Sequence, residues 1–384
     1  MAYGKDPRVL EGVSSFRNEA RNFENERARS PAGGTGGTRP TWIDSFKPQM
    51  DDEDRIRVIP GHYEVEVAVG TSAQDVKVEK RFQTFFPWHQ HYHAIKEKYV
   101  TCSAGPLGGF KGKSDPCRAC DQFWADKMAN RGTKKQGPIS RREMYSFTVL
   151  HYAPYAYIEQ TDQNGAIRMN ENTNEPYMNW VRVFPHELAK FAGREMRDAM
   201  VLHWDMGTAH YTTLREYDES IGKSCRCCGG RNTIQMEAWL CTNPACGEAL
   251  IERGTTYSPK EVKELTQGEV RCAHCQQVVW LKEVISCTQC GSGQRADIFD
   301  VDMSVKRVPD GKGNKGTNLL ITEWSEPRPI DARYTEIAKP MDLKKIFTPT
   351  PIAKQEELFG PYTPVNTGNT RQPVTVGSRP YGGK

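Results

Sequence analysis

Period-two alternation of apolar and polar residues dominates the chain from Trp42 onward. Arg55 to Pro60 (RIRVIP), His62 to Val69 (HYEVEVAV), Met144 to His151 (MYSFTVLH) and Ile298 to Val308 (IFDVDMSVKRV) each read as half-buried strands. Helical spacing is rarer. Pro185 to Met200 predicts a helix, with proline in its first turn and Leu188, Phe191, Ala192, Met196 and Met200 on one face. A second helix is predicted from Arg118 to Ala129, after a CxxC pair. The balance is mainly β with some α. Residues 1–41 read as a polar arm, helical from Val13 to Ala28, ending in the linker SPAGGTGGTRP. From about Thr350 the chain is rich in Pro, Gly, Thr and Asn, which predicts a disordered tail.

With 384 residues the chain has room for two or three domains. Its hydrophobic content of 37% and mean hydropathy of −0.70 leave much of it as loop, tail or solvated surface. No apolar run approaches the ~18 residues of a membrane span, and the start (MAYGKDPRVLEG) lacks a secretory h-region. The expectation is a soluble protein that stays in the cytoplasm where it is made.

Cysteine changes the picture. Of 12 cysteines, ten form five close pairs: Cys117/Cys120, Cys225/Cys228, Cys241/Cys246, Cys272/Cys275 and Cys287/Cys290. Pairs separated by two to four residues suit metal knuckles better than disulfides in a chain without a secretion signal. Cys102, Cys117 and Cys120 with one histidine make a Cys3His set, the ligand complement of a closed, structural zinc site. His89, His91 and His93 alternate along one strand and share a face. His89, with twelve residues between it and Cys102, is the expected ligand, with His93 next. Cys225, Cys228, Cys241 and Cys246 read as one zinc ribbon, and Cys272, Cys275, Cys287 and Cys290 as a second. Sequential pairing is the simplest assignment, and a cross-braced one is the alternative. Three structural zinc ions then account for every cysteine except Cys227.

Charge is concentrated around the first of these sites. Lys77 to Glu143 holds 14 Lys and Arg against 6 Asp and Glu, an excess of eight in a chain whose total is +4. A metal-pinned loop inside a basic, aromatic segment points to nucleic acid. Single-strand binding needs cations for phosphates and flat side chains for bases. Lys111, Lys113, Lys134, Lys135, Arg141 and Arg142 offer the first, and Trp88, Tyr99, Tyr145 and Phe147 the second.

The run from His89 through KYVTC at Cys102 to DPCRACD resembles the zinc segment of the single-stranded DNA-binding proteins of T-even-type bacteriophages. RREMYSFTVLHY resembles that family's basic-then-aromatic strand, NWVRVFPHELAKF its strand entering a helix, and IFDVDMSVKRV with TNLLITEWSEPRPI its closing strand pair. The resemblance implies an OB-fold core that coats single strands without sequence preference during phage replication, recombination and repair. The resemblance covers 42–215 and 294–330, and the expected domains are a core at 42–220 with the zinc loop at 89–120, closing strands at 294–330, and a C-terminal helix and tail at 331–384. Single-stranded DNA is the expected partner, with replication proteins (polymerase, helicase, primase) and self-association along the strand as further expectations. Three departures stand out. The ribbons at 221–293 read as an insertion without counterpart in the simplest members, the turn GKGNKG carries Lys312 and Lys315 in place of aromatics, and the tail is not acidic.

Enzyme readings are weaker, and none is expected. GGFKGKS lacks the first glycine of a phosphate loop, and Asp300 with Asp302 reads as the polar face of a strand. The competing class is a zinc-ribbon accessory factor of replication or transcription that acts through protein contacts. Trp239, Trp280 and Lys282 of the ribbons are candidates to contact a nucleic-acid strand or a protein, and the tryptophans serve equally well to fill a small core.

Overall fold

The computed structural model describes residues 45–360 except 51, 70–76, 97, 106–115, 131–136, 160–165, 168, 170–173, 253–269 and 310–316. The first strands are β1 (Ser45–Phe46), β2 (Asp54–Ile59), β3 (Tyr63–Val69), β4 (Lys77–Gln83), β5 (Phe86–His93) and β6 (Lys98–Thr101). Then follow β7 (Ile139–His151), β8 (Tyr155–Glu159), β9 (Met178–Arg182), β10 (Met196–Arg197) and β11 (Met200–Gly207). The cysteine-rich stretch holds β12 (Ile234–Cys241), β13 (Ala249–Glu252), β14 (Val270–Arg271), β15 (Val278–Val279) and β16 (Leu281–Cys287), and β17 (Asp302–Pro309) and β18 (Thr317–Trp324) close the set. Helices span Arg118–Ala129, Thr208–Ile221, Leu343–Ile346 and Ile352–Phe359. Among the described residues no helix is long and apolar enough to cross a membrane.

β7 is the spine. Its 13 residues pair with β11 along one edge, and along the other with β5 and then β2. The main path runs β1-β11-β7-β2-β17-β18, with β6 added beyond β5. Its end strands do not pair with each other, so among the described residues the sheet is not a closed barrel. The core is mainly β, and the OB-fold closure implied by the resemblance is not present in the strand pairing. The helix Thr208–Ile221 lays Tyr211, Leu214 and Ile221 on one face of the sheet, against Phe85, Tyr145 and Phe147. The segment Met341–Phe347 covers the other face.

The strands expected at 55–60, 62–69 and 144–151 are present. β17 and β18 pair as an antiparallel hairpin whose GKGNKG turn lies outside the described residues, and the strand expected over Ile298–Val308 begins only at Asp302, because Asp297–Asp300 forms a hydrogen-bonded turn before it. The helix predicted at Arg118–Ala129 is present with those limits. The helix predicted over Pro185–Met200 is a correction. Only Pro185–Phe191 is helical, in a 3-10 turn, after which Gly193 at φ +82° reverses the chain into β10 and β11. Leu188 and Met196 stay exposed, so the apolar stripe has no core to stabilise it as a helix. The expected N-terminal helix and the tail beyond 360 lie outside the described residues.

Candidate metal centres and nucleic-acid interface

Three groups of four ligand atoms converge: His91, Cys102, Cys117 and Cys120; Cys225, Cys228, Cys287 and Cys290; and Cys241, Cys246, Cys272 and Cys275. The closest sulfur pairs lie at 3.4–3.8 Å. A disulfide needs about 2.05 Å. Four ligands around an ion with metal–sulfur bonds of ~2.3 Å give tetrahedral edges of roughly 3.8 Å. All twelve ligands therefore fit closed metal sites, and every cysteine except Cys227 is used.

The first centre corrects the sequence expectation: His91, not His89, completes it. The β5–β6 register puts the Cys102 backbone opposite His89, whose carbonyl accepts the Cys102 N–H at 2.9 Å. Cys117 and Cys120, however, sit at the start of the helix Arg118–Ala129, and that helix lies over His91. His91 Nε2 is 3.3 Å from Cys120 Sγ and 3.8 Å from Cys117 Sγ. Burial disfavours a charge on His91, but hydrogen bonding to Cys102 and Cys117 outweighs it and raises the imidazole to about 9. Burial, with Arg141 adding to it, holds His89 well below the ordinary histidine range. Cys117 also caps the helix, its sulfur accepting the Cys120 N–H, which fixes the first turn around the site. His93 turns away and accepts the Lys96 N–H at 3.3 Å.

The other two centres are nested, neither sequential nor cross-braced. β12 and β16 pair along their length, bringing the first and last knuckles together at one end and the two middle knuckles together at the other. The seven residue steps from Ile234 to Cys241 set the two centres roughly 23 Å apart along the strands. Each knuckle turns through a left-handed residue just after its second cysteine: Gly229, Gly247, Gln276 and Gly291, with φ between +57° and +75°. Three are glycine, as that conformation favours. At the tip, hydrogen bonds from the Asn243 side chain and the Gln277 backbone lower Cys275 to about 6. At the base, burial raises Cys287, but the Thr233 hydroxyl and knuckle amides outweigh it and bring that thiol to about 6 as well. The base is tied to the core through the Cys225–Arg295 bridge and the Arg226–Asp300 ion pair at 3.1 Å.

The residues expected to hold nucleic acid divide. Lys111, Lys113, Lys134 and Lys135 lie outside the described residues. Tyr145 and Phe147 are core, a correction: Tyr145 stacks on Tyr211 at 4.0 Å and Phe147 on Phe85 at 5.3 Å. Trp88 is buried too, with Phe347 stacked on it at 4.4 Å and its N–H given to Ser146. Tyr99 remains half-buried beside Tyr92 at 4.7 Å. Arg141 and Arg142 are half-buried on opposite faces of β7. Arg141 is opposite His91 and donates to the Gly105 carbonyl, while Arg142 is opposite Gln90, one row from the Tyr92–Tyr99 pair.

The structure adds a surface that the motifs did not reveal. Register places Tyr157, Trp180, Arg182 and Arg197 on one face of the small sheet β10-β8-β9. Arg197 lies over Trp180 at 4.1 Å and Arg182 over Phe184 at 4.7 Å. Beside them Arg55 lies over Tyr152 and Arg333 over Tyr334, and the two tyrosine rings are 5.3 Å apart. An open cleft of about 560 Å³, lined by Arg197, Arg333 and Tyr334 among others, joins the two groups. Asp302 is no metal ligand and no solvated face. It is buried among Arg55 (2.7 Å), Arg328 (2.6 Å) and Arg57 (3.5 Å), and accepts from the Tyr152 hydroxyl. Single arginines scattered through the sequence gave no signal for this surface, because sheet register assembles it.

The geometry defines a mainly β protein with three four-ligand centres among the described residues, two of them at opposite ends of the β12–β16 pair, which forms a ribbon arm. No protein-family model matches the chain, and no curated protein matches it.

Proposed function

We propose that this chain binds single-stranded nucleic acid with little sequence preference, and that zinc fills its three centres as a structural ion. The observation that carries the reading is the run of guanidinium–ring pairs from Arg55–Tyr152 through Arg333–Tyr334 to Arg197–Trp180. Arginine planes take phosphates in bidentate fashion, and the half-exposed rings of Tyr152 and Trp180 take unstacked bases whatever their identity, while the buried Tyr334 ring supports Arg333 from beneath. A duplex offers such a surface its phosphates but no free base faces, since its bases are already stacked. Arg142, Tyr92 and Tyr99 extend the same chemistry beside the first metal centre. Zinc suits the ligands: three thiols with one imidazole, and two sets of four thiols, are closed sets that leave no position for a reacting water.

Titration with fluorescent oligo-dT tests this. Tight, salt-sensitive binding is expected, with a log–log slope of about −0.7 per phosphate contact and poor binding of duplex. Trp180→Ala should weaken binding about tenfold, in keeping with roughly 1–3 kcal/mol per stacked base. Indifference to oligo-dT at low salt ends the proposal. The exposed Trp280 and Val278 at the arm tip favour a second reading, in which the arm contacts a protein. Retention of a polymerase by a chain that ignores oligo-dT supports that one.

A further inference from the structure

The helix Ile352–Phe359 ends the described chain against the first metal centre, and its contacts are unusual for a surface helix. Gln355, in its middle, is fully buried. Its Oε1 accepts the Ala119 N–H at 3.3 Å and lies 3.4 Å from Cys117 Sγ. Its Nε2 donates to the Thr350 carbonyl at 2.8 Å and to Ser103 Oγ at 3.4 Å. Ser103 follows Cys102, and Ala119 lies between Cys117 and Cys120. One amide therefore stitches both ends of the cysteine loop to the C-terminal segment. Once Cys117 is a metal thiolate it can no longer donate, so the Ala119 N–H is the anchor that survives metal loading.

The surrounding contacts repeat this arrangement. Thr350 exchanges hydrogen bonds with Thr101 at the edge of β6, its hydroxyl accepting the Thr101 N–H at 2.9 Å. Arg118, the first residue of the metal helix, donates to the Phe359 and Gly360 carbonyls and so caps the end of the C-terminal helix. Leu358 and Phe359 pack on the small apolar cluster of Val100, Ala104, Ala119 and the three cysteines. Most of the hydrogen bonds that hold residues 350–360 thus come from residues at, or next to, a metal ligand, with Lys96 on the Leu358 carbonyl and His93 beside Phe359 as the further contacts. The described apolar cluster around those ligands is small: Val100, Ala104, Ala119 and the three cysteines.

We propose that the His91–Cys102–Cys117–Cys120 centre is a metal-dependent seat for the C-terminal helix, with Gln355 as the positioning residue. Metal binding and docking of residues 350–360 are then one coupled event. Metal orders the Cys117–Cys120 turn that receives the helix, and by linkage the docked helix tightens the metal by the same factor. Loss of the ion frees the C-terminal segment while the sheet stays folded. This rests on the reading that the centre holds zinc.

Two measurements on the full chain test it. Zinc competition against a chromophoric chelator should show the tightness of one ion out of three falling 10–100-fold in Gln355→Ala, the usual cost of losing a partner just outside the ligands. The two ribbon ions, which Gln355 does not approach, serve as internal controls. Amide exchange over 352–359 should become fast in His91→Ala while β7 and β11 stay protected. Unchanged zinc tightness in Gln355→Ala, or slow exchange over 352–359 in His91→Ala with one ion lost, overturns the coupling. Wild-type protein that retains only two zinc ions overturns the zinc reading of this centre, and the coupling with it.

Discussion

His91 illustrates how one strand position decides a metal site. His89, His91 and His93 share a strand face, so parity in the sequence cannot separate them, and spacing to Cys102 favours His89. The choice is made by where the helix Arg118–Ala129 starts, two residues further along β5. His91→Ala should therefore lower bound metal from three equivalents to two, whereas His89→Ala should keep all three, as metal quantification on the purified variants would show. Equal losses would return the ligand to an open choice. Tyr145 and Phe147 teach a related lesson. MYSFTVLH alternates like a strand with one wet face, yet Ser146 and Thr148 are as buried as the aromatics between them. Ser146 is held by Trp88 and Asp205, and Thr148 donates to or accepts from Tyr63 and accepts the Met341 N–H. Hydroxyls on the second face let that face be covered without leaving polar groups unpaired.

At the scale of elements, the ribbon arm depends on two strands. β12 and β16 connect the base and tip centres, so the tip can be lost without the base. In Cys241→Ser the expected outcome is loss of one metal equivalent, rapid proteolytic cleavage near β14 and β15, and a thermal midpoint of the core within a few degrees of wild type. A sequential arrangement predicts otherwise, since Cys225 and Cys228 would lose their partners and the attachment of the arm to the core would fail as well. Knuckles were legible because the geometry of two cysteines and a left-handed residue is local. Their pairing was not, because it depends on which strands meet. The same distinction explains the 3-10 turn at Pro185–Phe191: an apolar stripe at helical spacing yields a helix only if a core receives it.

Across the whole molecule, Asp302 links distant parts of the chain: β2 through Arg55 and Arg57, β17 on which it sits, and the segment after β18 through Arg328. Burial works against its charge, but hydrogen bonds from Arg328 and Arg55 outweigh it and hold the carboxyl below the usual aspartate range. The unfolded chain, with an aspartate of about 3.9, then binds the proton more readily than the folded one. The stabilisation is present above that value and is lost as pH falls through the lower, folded one. Asp302→Asn should cost about 2 kcal/mol near neutral pH, and the gap to wild type should narrow toward pH 3, as urea melts at the two pH values would reveal. A gap that is constant with pH would mean that the residue contributes shape and not charge. Because acid also removes metal from thiolate sites, the difference between variant and wild type carries the test.

The chain by itself determined the content of its metal sites, the strand-rich character of its core and the helix after the CxxC pair. Each of these is fixed by chemistry within a dozen or so residues: thiol spacing, side-chain parity, a capping cysteine. Tertiary structure alone decided which histidine closes the first centre, how eight cysteines divide into a base and a tip, and which aromatics are core. It also assembled the arginine–ring surface and set Gln355 into the cysteine loop. Those outcomes rest on contacts between residues some 30 to 250 positions apart, and only the packed sheet brings such residues within hydrogen-bonding range.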